Sequence, residues 1–155
     1  MSRDRREEIL VQLEQILLEE IGEGLVFRNR SDVDRMERPC VILLDGVESS
    51  TGTLTRKSAR GPDIRVDLIE LRPEVFLFLK RREEAQAATR GPELSAYRMQ
   101  LIKAVVLDET LISIVGSNGG IFYRGHDTDM QSGEAVQGMM LLRFAFHYVL
   151  DPNDL

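Results

Sequence analysis

The clearest periodic signal in the chain runs from Met139 to Leu150. Met140, Leu142, Phe144, Phe146, Tyr148 and Leu150 are large and apolar, while the alternate positions carry Arg143 and His147. A period of two over this length predicts a β-strand with one face on a core and the other of mixed character. Near the start of the chain the period changes. Over residues 5–21, Ile9, Leu13, Ile16, Leu17 and Ile21 recur at helical spacing with Leu10 beside them, and glutamates fill the remaining positions. This predicts an amphipathic helix, with Ser2 or Asp4 as its cap and Gly22 and Gly24 at its end.

Between these two elements the pattern is more broken. Residues 25–28, Leu-Val-Phe-Arg, read as a short strand, and residues 29–38 as a turn. The run Cys40 to Leu44 is continuously apolar, as in a buried central strand, and Asp45-Gly46 marks a turn after it. Residues 47–62 are mostly Ser, Thr, Gly, Arg and Lys. They predict either a long functional loop or, because Thr51, Thr53 and Thr55 alternate, a polar hairpin arm. Ile64, Val66 and Leu68 then alternate with Arg65 and Asp67, and the pattern breaks near Ile69 and resumes through Glu74 to Leu79. With Pro73 inside it, the stretch reads either as one long strand with a bulge or edge position or as two strands meeting at a bend. Residues 81–91 form a charged connection.

Pro92 opens a second helical pattern through Leu94, Tyr97, Leu101, Ile102, Val105 and Val106. It ends at Asp108, and residues 111–115 suit a helical turn or a strand equally. Ser117-Asn118-Gly119-Gly120 predicts a hairpin turn, residues 121–124 a strand, and residues 125–133 a polar turn. This order predicts an α+β fold, a mostly antiparallel sheet with two helices packed on one face.

Composition adds limits. The 155 residues suit a single domain over 1–155. One cysteine, Cys40, excludes an internal disulfide, and its apolar neighbours predict a buried, unreactive thiol. The amino-terminal residues lack the apolar stretch of a signal peptide, and no apolar run approaches the ~18 residues of a membrane span. A net charge of −6 argues against a nucleic-acid binder. Two basic clusters stand out: Lys80-Arg81-Arg82, answered at once by Glu83 and Glu84, and Arg56, Lys57 and Arg60 in the polar 47–62 stretch.

Candidate chemistry is sparse. His126, Asp127 and Asp129 are of metal-ligand type, but a calcium-loop continuation is missing, and a solvated turn accounts for them. Ser117-Asn118-Gly119-Gly120 lacks the Lys-Ser/Thr ending of a phosphate loop. Ser49 and Ser50 lack the glycine-flanked elbow of a serine hydrolase. Met130, Met139 and Met140 read as packing residues. Arg143 and His147 share a strand face, without a visible carboxylate partner or cleft, and so read as interface residues. The chain is expected to fold without cofactor or metal and to have no catalytic residues. Its candidate interaction residues are Arg56, Lys57, Arg60, Arg143 and His147.

The arrangement resembles the tail terminator (tail completion) proteins of long-tailed bacteriophages and prophage-derived particles. The resemblance rests on order and spacing over nearly the whole chain. It takes in the first helix followed by Phe27-Arg28-Asn29-Arg30, then Arg38-Pro39-Cys40-Val41-Ile42-Leu43-Leu44-Asp45-Gly46 and Leu71-Arg72-Pro73-Glu74. Leu101-Ile102 in the second helix and Gly119-Gly120-Ile121-Phe122-Tyr123 before the closing strand complete it. It implies a structural virion protein, made in the host bacterial cytoplasm and placed at the neck end of the tail. There a homohexameric ring would end growth of the tail tube and meet the head–tail connector, with DNA passing through the lumen unbound. A head–tail adaptor of the neck is the nearest alternative; a metal-dependent hydrolase built on His126, Asp127 and Asp129 is a remote one.

Overall fold

The computed structural model describes residues 2–30, 37, 39–57, 59–79, 90–129 and 138–154. The expected turn over 29–38, the connection over 81–91 and the turn over 125–133 therefore lie partly outside the described residues. The charge run 80–82 and Met130 lie wholly outside them.

Helix α1 spans Arg5–Ile21. Asp4 is its cap, accepting a hydrogen bond from the Glu7 amide at 3.1 Å and so satisfying one of the orphan donors of the first turn. Strand β1 follows at Val26–Arg28 and pairs in parallel with β2, Cys40–Arg56. Strand β3, Ile64–Phe78, returns antiparallel to β2, so residues 47–62 belong to a β-hairpin arm and not to an irregular loop. Helices α2 (Arg90–Val106) and α3 (Glu109–Val115) then precede β4 (Gly120–Asp129) and β5 (Met139–Leu150). The sheet order is β1-β2-β3-β5-β4. The fold is α+β and the sheet mostly antiparallel.

Among the described residues three helices, not two, cover one face of the sheet. The residues left open between helix and strand form α3, because Asp108 accepts from the Leu111 amide at 2.8 Å and starts a new helix just past α2. From α1, Ile9, Leu10, Leu13 and Leu17 are fully buried. They meet Leu71, Val75 and Leu77 of β3 and Leu142, Phe144 and Phe146 of β5 within one core, which α2 and α3 complete through Leu101, Val105 and Leu111. Each large side chain so buried contributes roughly 1.5–3 kcal/mol before the entropy of ordering it is counted. Leu150, which shares the apolar parity of β5, falls beyond the helices and stays partly exposed.

Three other expectations are corrected. Asp45-Gly46 is not a turn. The β2–β3 register slips between Leu44 and Val47, and Asp45 and Gly46 form a bulge within a continuous strand. The partner is the reason: Pro73 has no amide hydrogen to give, and the β3–β5 ladder likewise has no pairs between Leu71 and Glu74. Ser117-Asn118-Gly119-Gly120 joins α3 to β4 instead of two strands, because α3 is a helix. It must turn tightly there, since a Cβ on Gly119 would lie 2.2 Å from the His147 carbonyl oxygen. Finally, β4 continues to Asp129, so His126 and Asp127 are strand residues; pairing with Leu142 and Leu141 of β5 overrides their polar character.

An ion cluster ties α1 to the bulge. The Arg28 guanidinium forks onto both oxygens of Glu7, at 2.7 and 2.9 Å, and both of Asp45, at 2.7 and 3.0 Å. The Asn29 side-chain oxygen accepts from the Asp45 amide at 3.0 Å. Arg28 holds the Glu7 and Asp45 carboxyls below their usual range and is itself raised by them.

Two outcomes follow. Gly46 has φ +74°, and a Cβ there would lie 1.9 Å from the Arg72 carbonyl oxygen. Gly46→Ala should cost about 2 kcal/mol or more, read as a lower denaturant midpoint; an unchanged midpoint would show that the bulge opens freely. The second concerns acid. Because the Glu7 and Asp45 carboxyls are lowered by folding, their contribution is fully present above the ordinary carboxylate range, near ~4, and is lost as pH falls through the lowered folded values. Arg28→Ala should remove about 1–2 kcal/mol at neutral pH, discounted because Glu7 is half-exposed, and should flatten the acid limb of stability against pH. An acid limb identical to the parent's would count against this cluster.

Candidate protein-interaction surface

Among the described residues, helices cover one sheet face only. On the opposite face the strand parity places Phe76, Glu74, Arg72 and Glu70 of β3 beside Leu141, Arg143, Ala145 and His147 of β5. Leu141 and Ala145 are buried, while the charged side chains between them are partly exposed. Arg143 and His147 thus do share a face, but each has a partner that sequence alone did not reveal.

Arg143 donates to Asp127 of β4 at 2.5 Å. The His147 Nε2 lies 2.8 Å from Glu70 Oε2. An ionised carboxylate only accepts, so Nε2 carries the shared proton. Arg72 and Arg124 approach the same Glu70 carboxyl at 3.4 and 3.9 Å. Phe122 packs on the His147 ring with centroids 4.8 Å apart, and the Arg124 guanidinium lies over the Phe122 ring at 5.0 Å. Glu70 is therefore the hub of a charged cluster. Beside it a shallow groove of about 540 Å³ is lined by Glu70, Arg72, Glu74, Arg124 and Arg143, with Val47, Gly46, Pro73 and Phe144 completing it. A histidine–carboxylate pair next to a groove resembles part of an acid–base site, but none of the lining side chains offers a hydroxyl, thiol or amine nucleophile.

Glu70, Arg72 and Arg124 were missed. The alternation Glu70, Arg72, Glu74 was visible as a charged parity of β3, yet its meeting with His147 depends on the β3–β5 register, a long-range property that no local pattern carries.

The hairpin arm divides the basic cluster. Arg56 is not a free arm cation: it forms an ion pair with Asp151, a nearly buried carboxylate just past β5. That pair and the Asn153 amide hold the Asp151 carboxyl below its usual range, the amide contributing most. Lys57 and Arg60 lie exposed at the arm's end. From Ile64 at the arm's end to Glu70 the strand rises about 20 Å, so the arm's tip and the sheet-face cluster are separate patches.

Near the same end of β5, the Tyr148 hydroxyl donates to Glu48, and burial followed by this carboxylate pushes the phenol's titration well up. Arg6 lies 3.7 Å from Glu48 and 3.6 Å from Asp45. This anchors the base of the arm to α1 and β5.

His126 and Asp127 cannot hold one ion between them. They pair with Leu142 and Leu141, so they occupy opposite faces of β4, and each has another partner: His126 Nδ1 is 3.0 Å from the Tyr123 hydroxyl, and Asp127 holds Arg143. The Asp129 side chain lies outside the described residues. Among the described residues no group of three or more His, Cys, Asp or Glu is arranged for a metal. Cys40 is fully buried.

The ion pair at Arg56 changes what charge reversal would do. Expected from sequence alone, reversal of Arg56, Lys57 and Arg60 together would leave the melting temperature unchanged, because all three would sit in an arm outside the core. With Asp151 facing Arg56, Arg56→Glu should instead lower the melting temperature by a few degrees or more. That loss should shrink as pH falls through the Asp151 titration, since the pair contributes only while Asp151 is ionised. The single variant Lys57→Glu should melt like the parent. Equal melting of all variants would mean that the Arg56–Asp151 pair adds nothing.

No model of a known protein family matches the sequence, and no curated protein matches it.

Proposed function

We propose that this chain is a structural ring subunit of the tail-terminator kind, seated on the end of the tail tube of a long-tailed bacteriophage or a related particle. There it ends tube polymerisation and presents a surface to the head–tail connector. The observation that supports this reading best is the asymmetry of the sheet: helices on one face, and on the other a partly exposed lattice of paired charges with a hairpin arm continuing from it. Exposed ion pairs contribute only about 0–1 kcal/mol each to folding. A face that devotes Glu70, Arg72, Arg124, Arg143, Asp127 and His147 to such pairs gains little stability from them. Covered by a partner, the same groups set orientation and encounter rate.

Further support comes from the resemblance in order and spacing of the motifs along the chain. A ring subunit meets its neighbours through two different flanks, a head-to-tail contact that closes by rotation. A net charge of −6 suits a lumen through which DNA passes without being held, because retention needs lysine and arginine on the phosphates. A neck adaptor of the head–tail joint uses the same features, and the two readings differ in what fails when the protein is missing.

Deletion in a host particle separates them. A terminator's loss should give tails of irregular, excessive length without heads. Tails of normal length that only fail to join heads would favour the adaptor. A single copy or a dimer at the tube end, measured by mass on purified tails, would exclude the ring.

A further inference from the structure

We infer that the subunits of such an assembly join edge to edge, with β4 of one copy pairing antiparallel to the arm segment of β2 in the next, so that the sheet continues from subunit to subunit. This rests on the ring reading above and specifies its contact.

The sheet has two long unpaired edges. On one side β1 covers only Val41–Leu43 of β2, so among the described residues no strand lies beside β2 from Leu44 to Arg56. The Asp45 amide is occupied by the Asn29 side chain and the bulge sits next to it, which leaves the stretch from Val47 onward. On the other side β4 pairs only with β5, and its outer edge from Gly120 to Asp129 has no strand beside it among the described residues.

Solvent-exposed edges are normally blunted by lysines, prolines, bulges or short length, because their free amides and carbonyls template pairing with other chains. Each of these edges has a bulge, at Thr51 on β2 and at Arg124 on β4, but the regular stretch beside each bulge is otherwise undefended. On β2 that stretch is Gly52-Thr53-Leu54-Thr55, which holds no charge and no proline and carries two β-branched residues. Gly120-Ile121-Phe122-Tyr123 is also uncharged, and Phe122 is exposed on it.

Strand direction selects the partner edge. β2 to β3, β3 to β5 and β5 to β4 are all antiparallel, so β4 runs opposite to β2. A second copy placed in the same orientation lays its β2 antiparallel to this β4, the more stable pairing. Two-fold pairing of β2 with β2 is also antiparallel, but it leaves β4 open on both copies. Only β4 against β2 uses both edges through one repeated contact, and a repeated heterologous contact can close into a ring.

The test uses two single-cysteine variants, Thr53→Cys and Phe122→Cys, each carrying a different tag, with self-association of the parent followed by light scattering. Each is treated alone and as a mixture with a short bis-maleimide, the parent with its buried Cys40 serving as the control. Links joining the two tags in the mixture, with neither variant linking to itself, are expected. Thr53→Lys/Thr55→Lys, which places charge on an exposed edge outside the core, should weaken association about tenfold or more while leaving the melting temperature unchanged. Self-linking of either variant alone would replace this contact by a two-fold one and overturn the inference. Association that persists without mixed links and ignores the lysines would also overturn it, while leaving the ring reading intact. A parent that stays monomeric at every concentration and on isolated tubes would remove the ring reading, and this contact with it.

Discussion

The meeting of Gly46 with Arg72 and Pro73 is the constraint on which much of this molecule depends. β2 and β3 form a long ladder, and a proline in a strand flanked on both sides would ordinarily break it. Here the proline sits where both ladders are already interrupted, and β2 absorbs the gap with one extra residue. That extra residue reverses the parity of β2 as far as a second register slip between Ser50 and Gly52. Before the bulge, Val41 and Leu43 face the helices; after it, Glu48 takes that side and reaches Tyr148, while Val47 turns to the open face. One strand thereby serves a buried core in its first part and a polar arm in its second, without a turn between them.

The charged groups around the bulge hold that change of role in place. Asp45, released from the ladder, points to Arg28, and Arg28 reaches Glu7 in the first turn of α1. Arg6 of the same turn approaches Asp45 and Glu48. A helix N-terminus tolerates acidic groups well, so Glu7 gains from both its position and its partner. Side chains from β1, β2 and α1 thus converge where the arm leaves the body, and the direction of the arm is set by packing and ion pairs at its root. Arg56 with Asp151 does the same further out.

How much of this could be read from sequence differed by element. α1 and β5 were legible to their ends because in each the large apolar residues recur with the period of the element and pack on the core. The arm was legible only as an alternative, since Thr51, Thr53 and Thr55 alternate without an apolar face to confirm a strand. Asp45-Gly46 and Ser117-Asn118-Gly119-Gly120 carry the composition of turns, and what they become is decided by distant neighbours: Pro73 for the first, α3 and the His147 carbonyl for the second. His126 and Asp127 looked like turn residues because their partners on β5 are far along the chain. The candidate surface followed the same rule. Arg143 and His147 could be found from their parity, whereas Glu70 as their hub requires a register that only the folded sheet supplies.

The position of β5 has a consequence for how the protein is made. It is the last of the five described strands to be synthesised, yet it lies inside the sheet, between β3 and β4, and contributes Phe144 and Phe146 to the centre of the core. Until it emerges from the ribosome, β4 has no strand to join and the helices have only part of a surface to cover. The nascent chain must therefore wait, with its apolar faces unpaired and in need of protection from aggregation. A chain broken off before residue 139 lacks the strand that joins β3 to β4, so it cannot close the sheet or its core.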